Sequence, residues 1–360
     1  MRIFQLIFSD KLNDDLQYAN ELYDALNIYY SDTIEVNRLV LNNPSEFSNE
    51  LINIINLYDY LFIHCINNLD RESYMKICRN IHIKKILFIV DSNIKEFNLK
   101  YDLTMMRSLL LCCNRVVVNK YGVEIKNNLI KLLNNFDQTI IDLDYICNFD
   151  KVMVEDIVKN KEISLISNKG LLAKYDIFIN MFTHKEKYLN DFYWNIYGVT
   201  KNIQTMSIDN LYINTKTNEK SKITNFDTSN LCLDKINVFG EIDNETNNKV
   251  IEQSMFICCF DNPVYINYSL LNVIASGAIP VFYTNYAKNI HINQKQTLYD
   301  INCGIYIDDD FISKDDTIIM LNKYIISQNS CKSLIIKNKK IFKQLFNTEN
   351  IIKNLLDNIL

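Results

Sequence analysis

Short runs of apolar residues alternate along the chain with stretches whose apolar residues recur every three or four positions. These are the marks of buried strands and of helices with one buried face. The first run, RIFQLIF at 2–8, leads into Leu16, Ala19, Leu22 and Leu26, a spacing that predicts a helix with Tyr18, Leu22 and Leu26 facing the core. Further strands are predicted at 60–66 (YLFIHCI), 84–90 (KKILFIV) and 114–119 (NRVVVN), with helical stretches between them. Strands separated by helices imply parallel βαβ units with right-handed crossovers. Residues 1–160 therefore read as one Rossmann-like α/β domain.

A polar segment at 148–164 is the expected hinge, and the alternation restarts after it. Strands are predicted at 163–167, 202–208, 236–242, 254–260, 278–283 and 303–307, and helices at 175–189 and 265–276. A polar insertion occupies 214–230, and the lysine-rich tail from 317 to 360 reads as helical. Residues 161–345 form a second Rossmann-like domain in this reading. The last fifteen or so residues, 346–360, form a terminal helix expected to pack back on the first domain. Two such domains would turn the carboxyl ends of their parallel sheets toward a central cleft, where open parallel sheets bind ligands.

Composition narrows the classes. The chain has 360 residues, long enough for two cores, and its 48% hydrophobic content excludes a disordered protein. A net charge of -5 argues against a tight, passive nucleic-acid binder, though not against an enzyme with a local basic groove. All six arginines precede Val116, so anion chemistry in the second half must use lysine, histidine or backbone amides. The ten cysteines contain no C-x-x-C spacing and sit mostly in apolar runs, as expected of thiols in a reducing cytosol. The amino-terminal run is too short for a signal peptide and no run approaches a membrane span, so a cytoplasmic location is expected, that of the host cell if the source is viral. His64 lies inside an apolar strand and His184 near a polar helix end; neither has metal-ligand spacing with another His or Cys, and no metal site is expected.

The most informative stretch is 254–283, SMFICCFDNPVYINYSLLNVIASGAIPVFY. A buried strand runs through a short loop into a helix whose first-turn amides suit an anion such as a pyrophosphate. Gly277 permits a tight turn at the helix end and Pro280 stiffens the start of the next strand. On chemistry alone, an ordinary βαβ unit with a glycine cap is the favoured account of this stretch.

INYSLLNVIASGAIPVF also resembles, without a gap, the donor-binding region of the GT-B glycosyltransferases, and among them the DNA α-glucosyltransferases of T-even phages. GLLAKYDIFINMFTHKEKYL (170–189), YGVTKNIQTMSI (197–208) and VFGEID (238–243) resemble further family segments in the same order. The resemblance implies a GT-B fold and a nucleotide-sugar donor such as UDP-glucose, with no other cofactor. It implies donor contacts from Gly240, Asp261, Asn262, Asn267, Tyr268 and Asn272, with charge supplied by Lys169 and Lys174, displaced by two positions from the family's Arg and Lys (here Leu171 and Asp176). It also implies a catalytic role for Asp91 in orienting or deprotonating the acceptor hydroxyl. The chain departs from the family pattern where Asn267 and Asn272 replace glutamates, where Leu171 replaces an arginine, and where Val90 and Ser92 replace the histidines beside Asp91. Residue by residue, Asp91 and Asp261–Asn262 also read as helix caps and turns, and Lys169 and Lys174 as solvated surface lysines.

The preferred expectation is a retaining glycosyltransferase that moves a sugar to a hydroxymethylated base, such as hydroxymethylcytosine, in double-stranded bacteriophage DNA. Arg107, Lys120, Lys126 and the lysines of 332–344 are candidates to line the phosphates. Two alternatives stay open: a transferase acting on a glycan, lipid or small molecule, as the fucosyltransferase-like pattern FDN…NYSLLN…GAIPV suggests, and an inactive binding protein on the same fold.

Overall fold

The structure, a computed structural model, describes residues 1–8, 14–66, 69–90, 103–121, 123–133, 140–153, 157, 159–166, 192–197, 210–215, 220–224, 236–238, 244–260, 266–293, 295–307 and 328–359. The chain divides into two compact units, one of residues 1–148 with 343–360, the other of residues 149–342.

The first unit is built on six parallel strands: β1 (Arg2–Phe8), β2 (Glu35–Leu41), β3 (Tyr60–His64), β4 (Lys84–Ile89), β5 (Arg115–Asn119) and β6 (Ile140–Leu143), in the order β2-β1-β3-β4-β5-β6. Strands buried on both faces carry near-continuous apolar runs, which is why β1, β3, β4 and β5 stand out in the sequence. Phe4, Leu6, Leu61, Ile63, Leu87, Ile89, Val116 and Val118 make one buried face. It is covered by α2 (Asn49–Ile55), α3 (Arg71–Asn80), α4 (Leu103–Cys112) and α5 (Val123–Leu133) through Ile52, Ile55, Tyr74, Ile77, Leu109, Ile125 and Leu129. The opposite face carries α1 (Asp14–Tyr30), with Ala19 against Ile7 and Tyr18 beside Phe88. Ser48 and Asp70 cap α2 and α3 by accepting from the amides of Leu51 and Ser73 at 3.2 and 2.7 Å.

The terminal helix α11 (Thr348–Ile359) belongs to this unit and packs against α1 and β6. Its buried stripe is Ile352, Leu355, Leu356 and Ile359. Thr348 Oγ1 donates to Cys147 O at 3.0 Å and Arg115 Nε to Asn358 O at 3.3 Å.

Among the described residues the second unit carries eight strands in the order β10-β9-β11-β8-β7-β12-β13-β14. In chain order they are β7 (Asn160–Ile166), β8 (Tyr193–Tyr197), β9 (Asn210–Thr215), β10 (Lys220–Thr224), β11 (Ile236–Val238), β12 (Ser254–Cys259), β13 (Ile279–Tyr283) and β14 (Ile305–Ile307). All neighbours pair in parallel except β9 and β10, an antiparallel pair of which β10 and the end of β9 fall in the segment read from sequence as a polar insertion. Helices α6 (Asn244–Gln253), α7 (Tyr268–Ala275), α8 (Thr284–Asn289) and α9 (Leu298–Ile301) connect the strands, and α10 (Gln328–Leu345) leads out of the unit. The chain's single tryptophan, Trp194 on β8, is fully buried and reports on this unit's packing. Among the described residues no helix is long and apolar enough to cross a membrane, and nine cysteines are free thiols. The helix predicted at 175–189 and the strand at 202–208 lie outside the described residues.

Candidate functional site

In an open parallel sheet, ligands sit beyond the carboxyl ends of the strands at the point where the strand order reverses. In the second unit that point lies between β7 and β12. From β7 the chain steps to β8 on one side, and from β12 it proceeds to β13 and β14 on the other. The two strands run in register, Cys258 beside Leu165 and Ile257 beside Ser164, so both end at the same edge. A buried hydrogen bond of 2.8 Å between Ser164 and Ser254 ties them together.

Beyond β12 come Phe260, buried, and, after residues outside the described set, Ile266, whose amide donates to His291 O at 3.2 Å. The chain then starts α7. Asn267 is the N-cap: extended at φ -129 and ψ 170, its side-chain oxygen accepts from Leu270 N at 3.1 Å. This satisfies one of the amides that a helix start leaves without an intrahelical partner, and the rest retain the positive end of the helix dipole. No acidic residue sits in the first turn of α7 to neutralise it. The edge formed by the end of β7, the end of β12 and the start of α7 is thus an anion-binding geometry. Asn267→Ala is expected to lower the stability of this unit by about 1 kcal/mol, with Asn267→Asp close to wild type. Urea unfolding read by Trp194 fluorescence measures it.

The far end of α7 explains why Gly277 and Pro280 stand so close together. Gly277 N donates to Ile274 O at 3.1 Å and Ala278 N to Val273 O at 3.0 Å, the paired bonds of a Schellman cap. The cap requires the left-handed φ of +73 that Gly277 adopts. Val273 and Ala278 close the turn as part of one apolar cluster. Pro280 follows as the second residue of β13, before that strand's first pairing with β14 at Val281. A strand tolerates a missing amide at such a position.

Lys159, just ahead of β7, was not singled out from the sequence. Its ammonium donates to Ile251 O at 3.1 Å, Glu252 O at 2.6 Å and Ser276 O at 2.9 Å. Burial pulls it down to about 7, with the charge of Glu252 acting in the opposite direction.

Of the residues read as site candidates, Asn267, Tyr268 and Asn272 lie together on α7. Asn267 caps it, Tyr268 is fully buried beneath it, and Asn272 is half-buried one turn further along. Asp91, Lys169, Lys174, Gly240, Asp261 and Asn262 lie outside the described residues. Their chain positions are nonetheless informative. Lys169 and Lys174 follow β7 by a few residues, Asp261 and Asn262 follow β12, and Asp91 follows β4. Lys120 and Lys126, candidates to border DNA phosphates, pair with Asp144 and Asp142. Within 332–344, Lys339 is buried and Lys337 donates to Asn302 O at 3.0 Å.

In the first unit the strand order reverses between β1 and β3. There His64, the last residue of β3, is fully buried and stacked on Phe88 at 4.3 Å. Gln5 Nε2 lies 3.1 Å from its Nε2. An amide nitrogen only donates, so Nε2 accepts and Nδ1 carries the proton; that Nδ1 has no hydrogen-bond partner among the described residues. Burial depresses His64 to about 3.

No family model matches the chain, and no curated protein matches it in sequence. Solved structures do match in fold. An alpha-glucosyltransferase in complex with UDP and a 13-mer DNA containing a HMU base aligns with a TM-score of 0.73 at 13% identity, over 100% of this chain and 99% of that one. An alpha-glucosyltransferase with UDP-glucose and DNA containing an abasic site aligns at 0.71, also at 13% identity and over 100% and 99%. The DNA-modifying enzyme beta-glucosyltransferase aligns at 0.52, with 13% identity and 100% and 99% coverage. The chain is similar to these proteins along its whole length, and its fold is the GT-B fold of the glycosyltransferases.

Proposed function

We propose that the protein is a glycosyltransferase that takes a sugar from a nucleotide-sugar donor, UDP-glucose or a close relative, and places it on a hydroxymethylated base in DNA. One observation carries the reading: the reversal point between β7 and β12 coincides with the capped, dipole-positive start of α7. The stretch there is also the one whose sequence resembles a donor-binding region. Solved structures similar in fold were captured with UDP, UDP-glucose and DNA, which supports the same donor and acceptor classes.

In this reading the second unit holds the nucleotide. Amides of α7 and the lysines after β7, Lys169 and Lys174, neutralise charge on the departing diphosphate. Asp261 and Asn262, just after β12 in the chain, contact the donor, as does Gly240, just after β11. Asn272, where the resembled family has a glutamate, hydrogen-bonds the nucleotide ribose without adding charge. Asp91, after β4, orients or deprotonates the acceptor hydroxymethyl group. Transfer proceeds with retention at the sugar carbon. The acceptor base leaves the duplex stack, at a cost of a few kcal/mol.

Donor binding is the first test. UDP-glucose at a hundred times its Kd is expected to stabilise the folded protein by roughly 2.7 kcal/mol. Asp91→Asn is expected to keep that stabilisation and lose most transfer, by roughly a hundredfold or more. Absence of stabilisation by any nucleotide sugar would favour a binding protein that has kept only the fold.

A further inference from the structure

We infer that Lys159 is a positioning residue for the donor helix, a single ammonium that ties the carboxyl ends of α6 and α7 to the segment leading into β7. The inference rests on the reading of α7 as the donor helix.

The geometry is specific. The last carbonyls of a helix lack intrahelical donors and carry the negative end of its dipole. Lys159 meets this need at two helices at once, through Ile251 O and Glu252 O in the last turn of α6 and Ser276 O at the cap of α7. An ammonium has three donors, and all three are used. The same segment reaches α7 a second time. Ile157 sits against Gly277 so closely that a Cβ built there would lie 2.4 Å from Ile157 Cδ1. Upstream, the buried Lys339 of α10 donates to Phe149 O at 3.1 Å and to Val152 O. Two lysines thus hold the start of the second unit against its helices, and one of them holds the end of α7 opposite to Asn267.

The mechanical consequence concerns direction rather than chemistry. α7 is only eight residues long, about 12 Å. A tilt allowed at its carboxyl end therefore moves the first-turn amides by a comparable amount. Anion binding by amides depends on their alignment, so freeing Ser276 O costs donor affinity even though Lys159 lies at the far end of the helix.

The test compares wild type, Lys159→Met and Lys159→Arg in the full-length chain, by calorimetric titration with UDP-glucose and by hydrogen exchange without donor. Lys159→Met is expected to bind UDP-glucose about five- to tenfold more weakly. Its exchange should rise in peptides covering 250–254 and 272–278 while the β1–β5 peptides stay unchanged. Lys159→Arg, which keeps a permanent charge, is expected to recover most of the affinity. Faster exchange with unchanged affinity would overturn the inference, leaving Lys159 a merely structural clamp, and so would unchanged exchange in both peptides. If Lys159→Met does not fold, Lys159→Arg decides alone, since exchange and affinity both near wild type are expected and a loss of affinity with normal exchange would contradict it. A wild-type protein that binds no nucleotide sugar would instead remove the donor reading, while the exchange comparison still reports on the clamp.

Discussion

Gly277→Val is expected to destabilise the second unit by about 3 kcal/mol or more, a large share of the 5–15 kcal/mol typical of a folded domain. Two costs add. A β-branched residue at φ +73 sits in the left-handed region that L-residues avoid, which costs roughly 1–2 kcal/mol. Its Cβ then meets Ile157 Cδ1 at 2.4 Å and Cγ1 at 3.2 Å, with Ile335 Cγ2 at 3.5 Å closing the other side. Ile157 can turn away only by giving up its packing over the end of α7. Gly277→Ala carries the conformational cost and the same Cβ contact without valine's two γ-methyls, and is expected to lose roughly 2 kcal/mol. Urea denaturation read by Trp194 should show the transition shifted to lower denaturant. Hydrogen exchange in β1–β5 should stay at its wild-type level, because Gly277 and Trp194 belong to the second unit. Equal stability of the wild type and the valine variant would mean that the left-handed cap is not needed.

Acid is expected to weaken the first unit through His64. Its folded value of about 3 lies below the 6.5 of an unfolded histidine, so between these values the unfolded chain binds a proton that the folded unit refuses. The stability His64 preserves is complete above about pH 6.5 and falls progressively as pH drops toward 3. At about pH 4 the loss amounts to roughly 3 kcal/mol. The cause is burial: the ring is enclosed between Gln5 and Phe88, and among the described residues no carboxylate offsets the charge it would acquire. His64→Gln removes the titration and should flatten the difference between pH 7 and pH 4. The measurement is hydrogen exchange in β3 and β4, corrected for intrinsic rates at each pH. A wild type and variant that lose stability in parallel over that window would assign the acid sensitivity to other groups.

What could be read from the sequence follows from which faces are buried. β1, β3, β4, β5, β12 and β13 are enclosed on both sides, so their apolar runs are nearly continuous and their positions were legible. β2 was missed because it is an edge strand with exposed Glu35, Asn37 and Arg38. β8 was missed because Asn195, buried within it, interrupts a run of five residues. β6 has only four residues, too few for a periodic signal.

The candidate site was legible in part for the same kind of reason. Gly277 and Pro280 mark a helix end and a strand start through their own backbone constraints, which the sequence displays directly. The capping role of Asn267 was also within reach, since an asparagine just ahead of an apolar helical stretch is a start signal. Lys159 was not: its three partners are backbone carbonyls, identical in every residue, and only the folded chain shows that they converge. The pairing of Lys120 with Asp144 and of Lys126 with Asp142 was likewise out of reach, because charge alone does not reveal which carboxylates face a lysine.

The central claim is that the start of α7 cradles a sugar nucleotide whose sugar leaves for DNA. The decisive measurement incubates the protein with duplexes containing hydroxymethylcytosine or hydroxymethyluracil and a panel of nucleotide sugars, digests the DNA, and weighs the nucleosides. A modified nucleoside heavier by one sugar residue is the predicted result, seen with UDP-glucose or a near relative and abolished in Asp91→Asn. Unchanged nucleosides with every donor, from protein whose Trp194 transition shows it folded, would contradict the account.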